Sequence, residues 1–284
     1  AGAGARSRCR APRCDYRAVI IAMSRIIAVA NQKGGVGKTT TCVNVAASLA
    51  ASDRRVLLVD FDPQSNATTG CGIGGSALES TACEVLLGKA QARETIVSVD
   101  ADNFALLPAN SDLTAAEIRL MQEKGREYRL RNALEPLSEL YDYVLIDCPP
   151  AINLLTLNAL TAADGVLIPI QCEYYALEGL SSLLETVRQV RNTVNQGLQI
   201  EGLLRTMHDP RNRLANDVSE QLIKHFRHKV YRTVIPRNVR LAEAPSFGVS
   251  VLSHDPRSRG ALAYLAVAAE ILWQESERAH IGGA

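Results

Sequence analysis

Residues 31–50 read NQKGGVGKTTTCVNVAASLA, and the interpretation of the whole chain turns on them. The apolar run Ile26, Ile27, Ala28, Val29, Ala30 leads into this stretch, and Val43, Ala46, Ala47 and Ala50 leave it at three-to-four spacing. That order predicts a buried strand, a glycine-rich turn and an amphipathic helix. Gly34, Gly35 and Gly37 let the backbone open and bring its N–H groups close to an anion. The helix that begins near Thr39 adds the positive end of its dipole. Strand, loop and helix in this sequence make a phosphate-binding P-loop, in which Lys38 supplies full charge to the phosphates and the Thr39 hydroxyl is the expected Mg²⁺ ligand.

The match departs from the ordinary G-x-x-x-x-G-K-[ST] pattern, because Gln32 stands where the first glycine belongs and a second lysine, Lys33, opens the loop. Two lysines so close repel each other unless both face phosphate or one reaches the nucleotide of another subunit. A glycine-rich turn with two solvated lysines is the plain alternative, and the strand and helix in the required places count against it.

Downstream, Val56–Val59 predicts a short buried strand that delivers Asp60-Phe61-Asp62-Pro63-Gln64. Carboxylates at the carboxyl end of a strand beside a P-loop sit where phosphate and metal are handled. Being two apart, Asp60 and Asp62 are expected to share a face, with Asp60 in a supporting or turn role. Tyr143-Val144-Leu145-Ile146-Asp147 is a second apolar strand ending in an acid, with Asp147 placed to hold the hydration shell of Mg²⁺. Residues 65–80 read as a mobile loop, 96–99 and 104–108 as short strands, and 82–87, 111–124, 128–140 and 153–162 as helices. Val166–Ile170 is another buried strand, and a long helix runs to about Asn195. Val29, Val59, Ile146, Ile168 and Leu203 lie on five apolar segments separated by helices. The expected fold is therefore α/β: a mostly parallel sheet of P-loop NTPase type with helices on both faces, in a single domain.

KGGVGKTT resembles the deviant Walker A box of the ParA/MinD group of P-loop ATPases. DFDPQSNAT, YDYVLIDCPP and IPRNVRLAEAPSFG are similar to the chromosome-partitioning ParA (Soj) branch, and the resemblance runs from about Met23 to Ala269. It implies slow ATP hydrolysis with ATP, ADP and Mg²⁺ as ligands and Lys33, Lys38 and Asp62 as catalytic residues. The nucleotide site it implies comprises Lys33, Gly34, Gly35, Val36, Gly37, Lys38, Thr39 and Thr40, with Pro236 and Asn238 beside the base or ribose. Thr39 and, through water, Asp147 would hold the metal. Lys33 would contact ATP in the partner subunit of a homodimer, Asp62 would position the attacking water, and the segment around Tyr174 and Tyr175 would line the dimer face or form plain surface aromatics. The resemblance further implies non-specific double-stranded DNA binding through Arg211 and Arg240, stimulation by a ParB-type centromere-binding protein, and a cytoplasmic, nucleoid-associated location.

Charge is consistent with that reading without establishing it. The net charge is only +1, yet between Arg205 and Arg240 nine basic residues meet Asp209, Asp217 and Glu220. Leu214, Val218, Leu222 and Phe226 are expected to form the buried stripe of a helix there, leaving Lys224 and Arg227 outside. Such asymmetry is the footprint of phosphate-backbone binding or a solvated basic face, and charge by itself leaves both open. No helix-turn-helix or zinc-finger pattern occurs, so DNA contact would be independent of sequence.

Seven scattered cysteines form no C-x-x-C and read as reduced cytosolic thiols, with Cys148 a packing residue rather than an iron–sulfur ligand as in the nitrogenase iron protein. No apolar run approaches the roughly 18 residues of a membrane span. The alternative is a membrane-cycling division-site ATPase of the MinD type. That needs a basic amphipathic C-terminal helix, whereas residues 260–277 carry Glu270, Glu275 and Glu277. Residues 1–22 hold five arginines against Asp15 and are expected to be a disordered or non-native extension, with the ATPase domain at 23–275 and a tail at 276–284.

Overall fold

The apolar run ahead of the glycine loop becomes an interior strand of an eight-stranded sheet in the computed structural model, which describes residues 24–74 and 78–282, the side chains of 279–282 excepted. The expected extension 1–22, with Cys9 and Cys14, lies outside the described residues. The strands are β1 (Arg25–Val29), β2 (Val56–Asp60), β3 (Val97–Val99), β4 (Phe104–Leu107), β5 (Tyr143–Asp147), β6 (Gly165–Gln171), β7 (Gln199–His208) and β8 (Val230–Pro236). Their order across the sheet is β3-β4-β2-β5-β1-β6-β7-β8. The β3–β4 pair is antiparallel and every other pairing is parallel.

Alternation along each strand feeds two cores. Ile27, Val29, Leu58, Leu145, Leu167 and Leu204 face the P-loop helix (Lys38–Ala50) and the C-terminal helix (Arg259–Gly282). Ala28, Leu57, Val59, Ile146, Ile168 and Leu203 face the opposite layer, where Leu155, Leu183, Val187 and Leu222 come from three other helices. A sheet covered on both sides requires strands apolar on both faces, which is why β2 and β5 are continuous buried runs.

Several local expectations are corrected. Residues 66–70 form a short helix inside the expected mobile loop, because Asp60 accepts hydrogen bonds from both the backbone N–H and the hydroxyl of Thr68, each at 2.7 Å. The helices expected at 111–124 and 128–140 shorten to Leu113–Leu120 and Arg129–Leu134; Met121 is exposed, and the chain passes into a 3₁₀ turn containing Pro136. The buried stripe of helix Arg213–Phe226 is Ala215, Val218, Ser219 and Leu222, while Leu214 faces water. The C-terminal helix runs on to Gly282, through the boundary expected at 275. Strand β8 is not evident from the sequence because the apolar and polar residues of VYRTVIP come in pairs rather than in alternation.

Glu201 fastens three elements together. Its buried carboxylate accepts from Arg25 at the start of β1 (2.8 Å) and from Arg278 of the C-terminal helix (2.5 Å). Burial works to raise its pKa, but the two guanidinium groups hold it below the ordinary value. The stabilisation is therefore present above the unfolded carboxylate pKa and is lost as the pH falls through the lower folded one. Glu201→Gln is expected to cost about 2 kcal/mol near pH 7, discounted from a fully buried pair because both arginines reach water. Urea melts across pH should show this difference shrinking below about pH 4.

Candidate nucleotide site

Sheet register assembles the site. Val29 of β1 pairs with Asp147 of β5, and Asp147 pairs with Asp60 of β2, so three strand ends finish side by side. The chain leaving β1 becomes the loop 31–37. Gly35 (φ +73°) and Gly37 (φ +86°) occupy the left-handed region, which only glycine enters cheaply. The helix then starts at Lys38 without a side-chain cap, which leaves its first-turn N–H groups to an anion. Asn31 donates to the Pro169 carbonyl of β6 (2.7 Å), and Thr206 of β7 donates to the Val36 carbonyl (2.8 Å). Gln32 donates to Ser182 (2.9 Å), so three elements hold the loop.

The two lysines point to different places. Lys38 is buried; its ammonium lies 3.3 Å from the Lys33 carbonyl, inside the loop. Burial lowers its pKa, and Asp147, Cys148 and Asp62 oppose that shift. Lys33 remains 40% exposed and pairs with Glu173, itself 46% exposed, in the turn after β6.

Beside Lys38 stand three buried carboxylates: Asp60, Asp62 and Asp147. Asp60 ends β2 while Asp62 lies beyond it, so the two do not share a strand face as expected. Asp60 instead accepts from the Asp62 N–H (3.3 Å) and from Thr68, and Asp62 accepts from the Gln64 N–H (3.0 Å). Asp147 is held above the usual carboxylate range by burial and then by Asp60, with the Thr39 hydroxyl opposing. Its Oδ2 is buried without a hydrogen-bond partner. This unpartnered buried oxygen next to the Thr39 hydroxyl fits a divalent cation held largely through water. Cys148 is fully buried and donates to the Ile146 carbonyl (3.7 Å), a packing role as expected. No group of three or more metal-ligating side chains occurs among the described residues.

A cavity of about 400 Å³ opens beside the loop, lined by Gly37, Thr40, Met207, Pro236, Asn238 and Tyr264 among others. Pro236 and Asn238, expected beside the base or ribose, both line this cavity. The Asn238 side-chain oxygen is committed to capping helix Val239–Glu243 through the Arg240 N–H (2.8 Å). Sequence reasoning missed Met207 and Tyr264. The signal for Met207 lies only in its backbone, φ +50°, which no residue pattern reveals. Arg211 and Arg240 follow the carboxyl ends of the paired strands β7 and β8, on the same edge of the sheet as the nucleotide loop. Arg211 pairs with Asp209 (2.8 Å), and Arg240 with Glu243 (2.8 Å) and Asp255 (3.4 Å).

Fold, loop and acidic strand ends together define a P-loop nucleotide-binding protein. A family model described as an AAA domain matches residues 24–200. The chain is 54% identical over 249 residues to the sporulation initiation inhibitor protein Soj of Bacillus subtilis, covering 88% of this chain and 98% of that protein. It is 49% identical over 256 residues to the chromosome partitioning protein ParA of Caulobacter vibrioides, covering 89% and 96%. Among solved structures, a Mycobacterium smegmatis cobyrinic acid a,c-diamide synthase with bound ATP analogue and magnesium superposes with TM-score 0.78 at 39% identity over 89% of this chain and 97% of that one. The cell-division ATPase MinD of Pyrococcus furiosus gives TM-score 0.72 at 26% identity over 89% and 100%. This chain belongs to the ParA/Soj family of chromosome-partitioning P-loop ATPases. No helix of the described residues is long and apolar enough to cross a membrane.

Replacing Gly37 with alanine forces a side chain into the left-handed region, at a cost of about 1–2 kcal/mol. Gly34, with open space around it and no such backbone, should accept alanine freely. Thermal melts are expected to separate the two variants, Gly37→Ala falling by about 2–6 °C and Gly34→Ala staying at the wild-type midpoint.

Proposed function

We propose that the protein is an ATP-driven DNA-partitioning switch. ATP with Mg²⁺ occupies the loop, two subunits close face to face, and the dimer grips double-stranded DNA without regard to sequence. Hydrolysis, stimulated by a ParB-type centromere-binding protein, releases it. The observation that carries this reading is the divergence of the two lysines. Lys38 is buried in its own cradle, whereas Lys33 is half-exposed and held by a carboxylate that water also reaches. An exposed ion pair is worth little, so Glu173 gives up Lys33 readily to a polyphosphate presented by a second subunit. Ile152, Tyr174 and Tyr175 are exposed around the same edge, which suits a face that is covered on closure.

Within each site, Lys38 and the backbone N–H groups of residues 34–40 bind and orient the phosphates. Asp62 positions the attacking water, and Lys33 from the neighbour stabilises the charge that develops on the transferred phosphoryl group. Thr39 and Asp147 would hold Mg²⁺, which neutralises phosphate charge. The base lies in the apolar cavity beside Pro236 and Asn238. Arg211 and Arg240 carry the DNA contact, and dimer closure doubles a weak patch into an effective one. The soluble partitioning reading places the protein in the cytoplasm, on the nucleoid; the acidic side chains Glu270, Glu275 and Glu277 do not suit the lipid-facing helix of a MinD-type cycle.

Co-sedimentation with duplex DNA in ADP, ATP and a non-hydrolysable analogue, across salt, tests this reading. Wild type should pellet with DNA only in the triphosphate states and be released by salt. Arg240→Glu should bind DNA at least about tenfold more weakly while still binding ATP. Asp62→Ala should bind DNA with ATP and stay bound, without turnover. Equal DNA binding in every nucleotide state would contradict the proposal.

A further inference from the structure

The sheet divides the basic stretch 205–240 between two ends of the molecule. Arg211, Arg237 and Arg240 follow the carboxyl ends of β7 and β8, whereas Arg227, Lys229 and Arg232 cluster at the amino end of β8. The strand between them spans about 20 Å. The second cluster therefore lies away from the nucleotide loop and from the arginines assigned to DNA.

That cluster surrounds a cavity of about 460 Å³ between the start of β8, the end of helix Arg213–Phe226 and the C-terminal helix. Two nine-tenths-buried side chains on its wall carry donors without partners. Tyr231 is 1% exposed, and its hydroxyl makes no hydrogen bond. Arg205 is 8% exposed; its terminal nitrogens bind Ser219 (2.9 Å) and the carbonyls of Tyr231 (2.9 Å) and Arg232 (3.0 Å), but its Nε–H has no acceptor. Buried polar groups left unpaired are rare and costly, and both of these require an acceptor or leave a donor idle.

Two of the three carboxylates that line the cavity are already engaged. Glu201 is shared by Arg25 and Arg278, and Glu270 accepts from the N–H groups of Arg232 and Thr233 and from the Thr233 hydroxyl. Only Glu277 remains to set against Arg227 and Arg232, which make no ion pair among the described residues. Arg227 also holds a left-handed backbone at φ +36°, the kind of strain found at binding sites. Trp273 adds a flat apolar surface at the rim.

We propose that this cavity is a second ligand site, independent of the nucleotide loop, that takes a small polyanion bearing phosphate or carboxylate groups. Arg205 binds one anionic group on the side of helix Arg213–Phe226, Tyr231 donates to another on the side of the C-terminal helix, and Arg227 and Arg232 bind the ligand at the rim. Duplex DNA does not suit the site, because its phosphates cannot reach groups this deeply buried.

Trp273 is the only tryptophan in the chain, so its emission reports on this cavity alone. The test is a fluorescence titration of the full-length protein in excess Mg-ADP, which keeps the nucleotide loop filled. Pyrophosphate is the probe in one arm and citrate in the other. A saturable change is expected in at least one arm, and the arm that responds identifies the anion's chemistry. Tyr231→Phe, which removes only the idle hydroxyl, should weaken that response about tenfold at an unchanged thermal midpoint. Arg232→Glu at the exposed rim should weaken it at least as much. The proposal is overturned by no saturable change in either arm, by unaltered affinity in both variants, or by a change that duplex DNA produces and neither small anion does.

Discussion

The pairing of Val29 with Asp147 and of Asp147 with Asp60 is the constraint on which the molecule rests. It aligns three strand ends so that one glycine loop and two carboxylates arrive together. A slip of one residue in either pairing would send Asp60 or Asp147 to the wrong face and break both cores, since alternate residues of the same strands fill opposite layers. The hydrophobic pattern that folds the sheet is thus the same pattern that aims the site.

Buried charge explains much of what surrounds that alignment. Three carboxylates and Lys38 sit within the sheet's carboxyl edge, where desolvation raises Asp60 and Asp147 and lowers Lys38. Such a cluster is costly unless it meets ligands of opposite sign, and phosphate with a divalent cation supplies both signs at once. Lys33 escapes this burial. Its ion pair with Glu173 is open to water, so one loop carries a buried lysine and a half-exposed one.

The sequence revealed the site better than its surroundings. The P-loop, Asp60, Asp62 and Asp147 were readable because strand ends and glycine spacing are local properties, whereas Pro236 and Asn238, which line the cavity, were named only through resemblance. Met207 and Tyr264 were not readable, because one owes its place to an unusual backbone angle and the other to a helix that returns to the site from more than 200 residues away. Strand β8 escaped because its apolar and polar residues come in pairs rather than in alternation, and Leu214 misled because a four-residue repeat drifts around a helix. The excess of basic residues was visible, but its division between the two ends of β8 depends on how the strand runs.

The central claim is that Lys33 leaves its own chain's Glu173 to serve a second subunit's nucleotide. Light-scattering mass of wild type and Lys33→Ala, each with Mg-ADP and with a non-hydrolysable ATP analogue, tests it most directly. Wild type should be monomeric with ADP and dimeric with the analogue, and Lys33→Ala should bind the analogue yet remain monomeric. A Lys33→Ala variant that dimerises as well as wild type would contradict it.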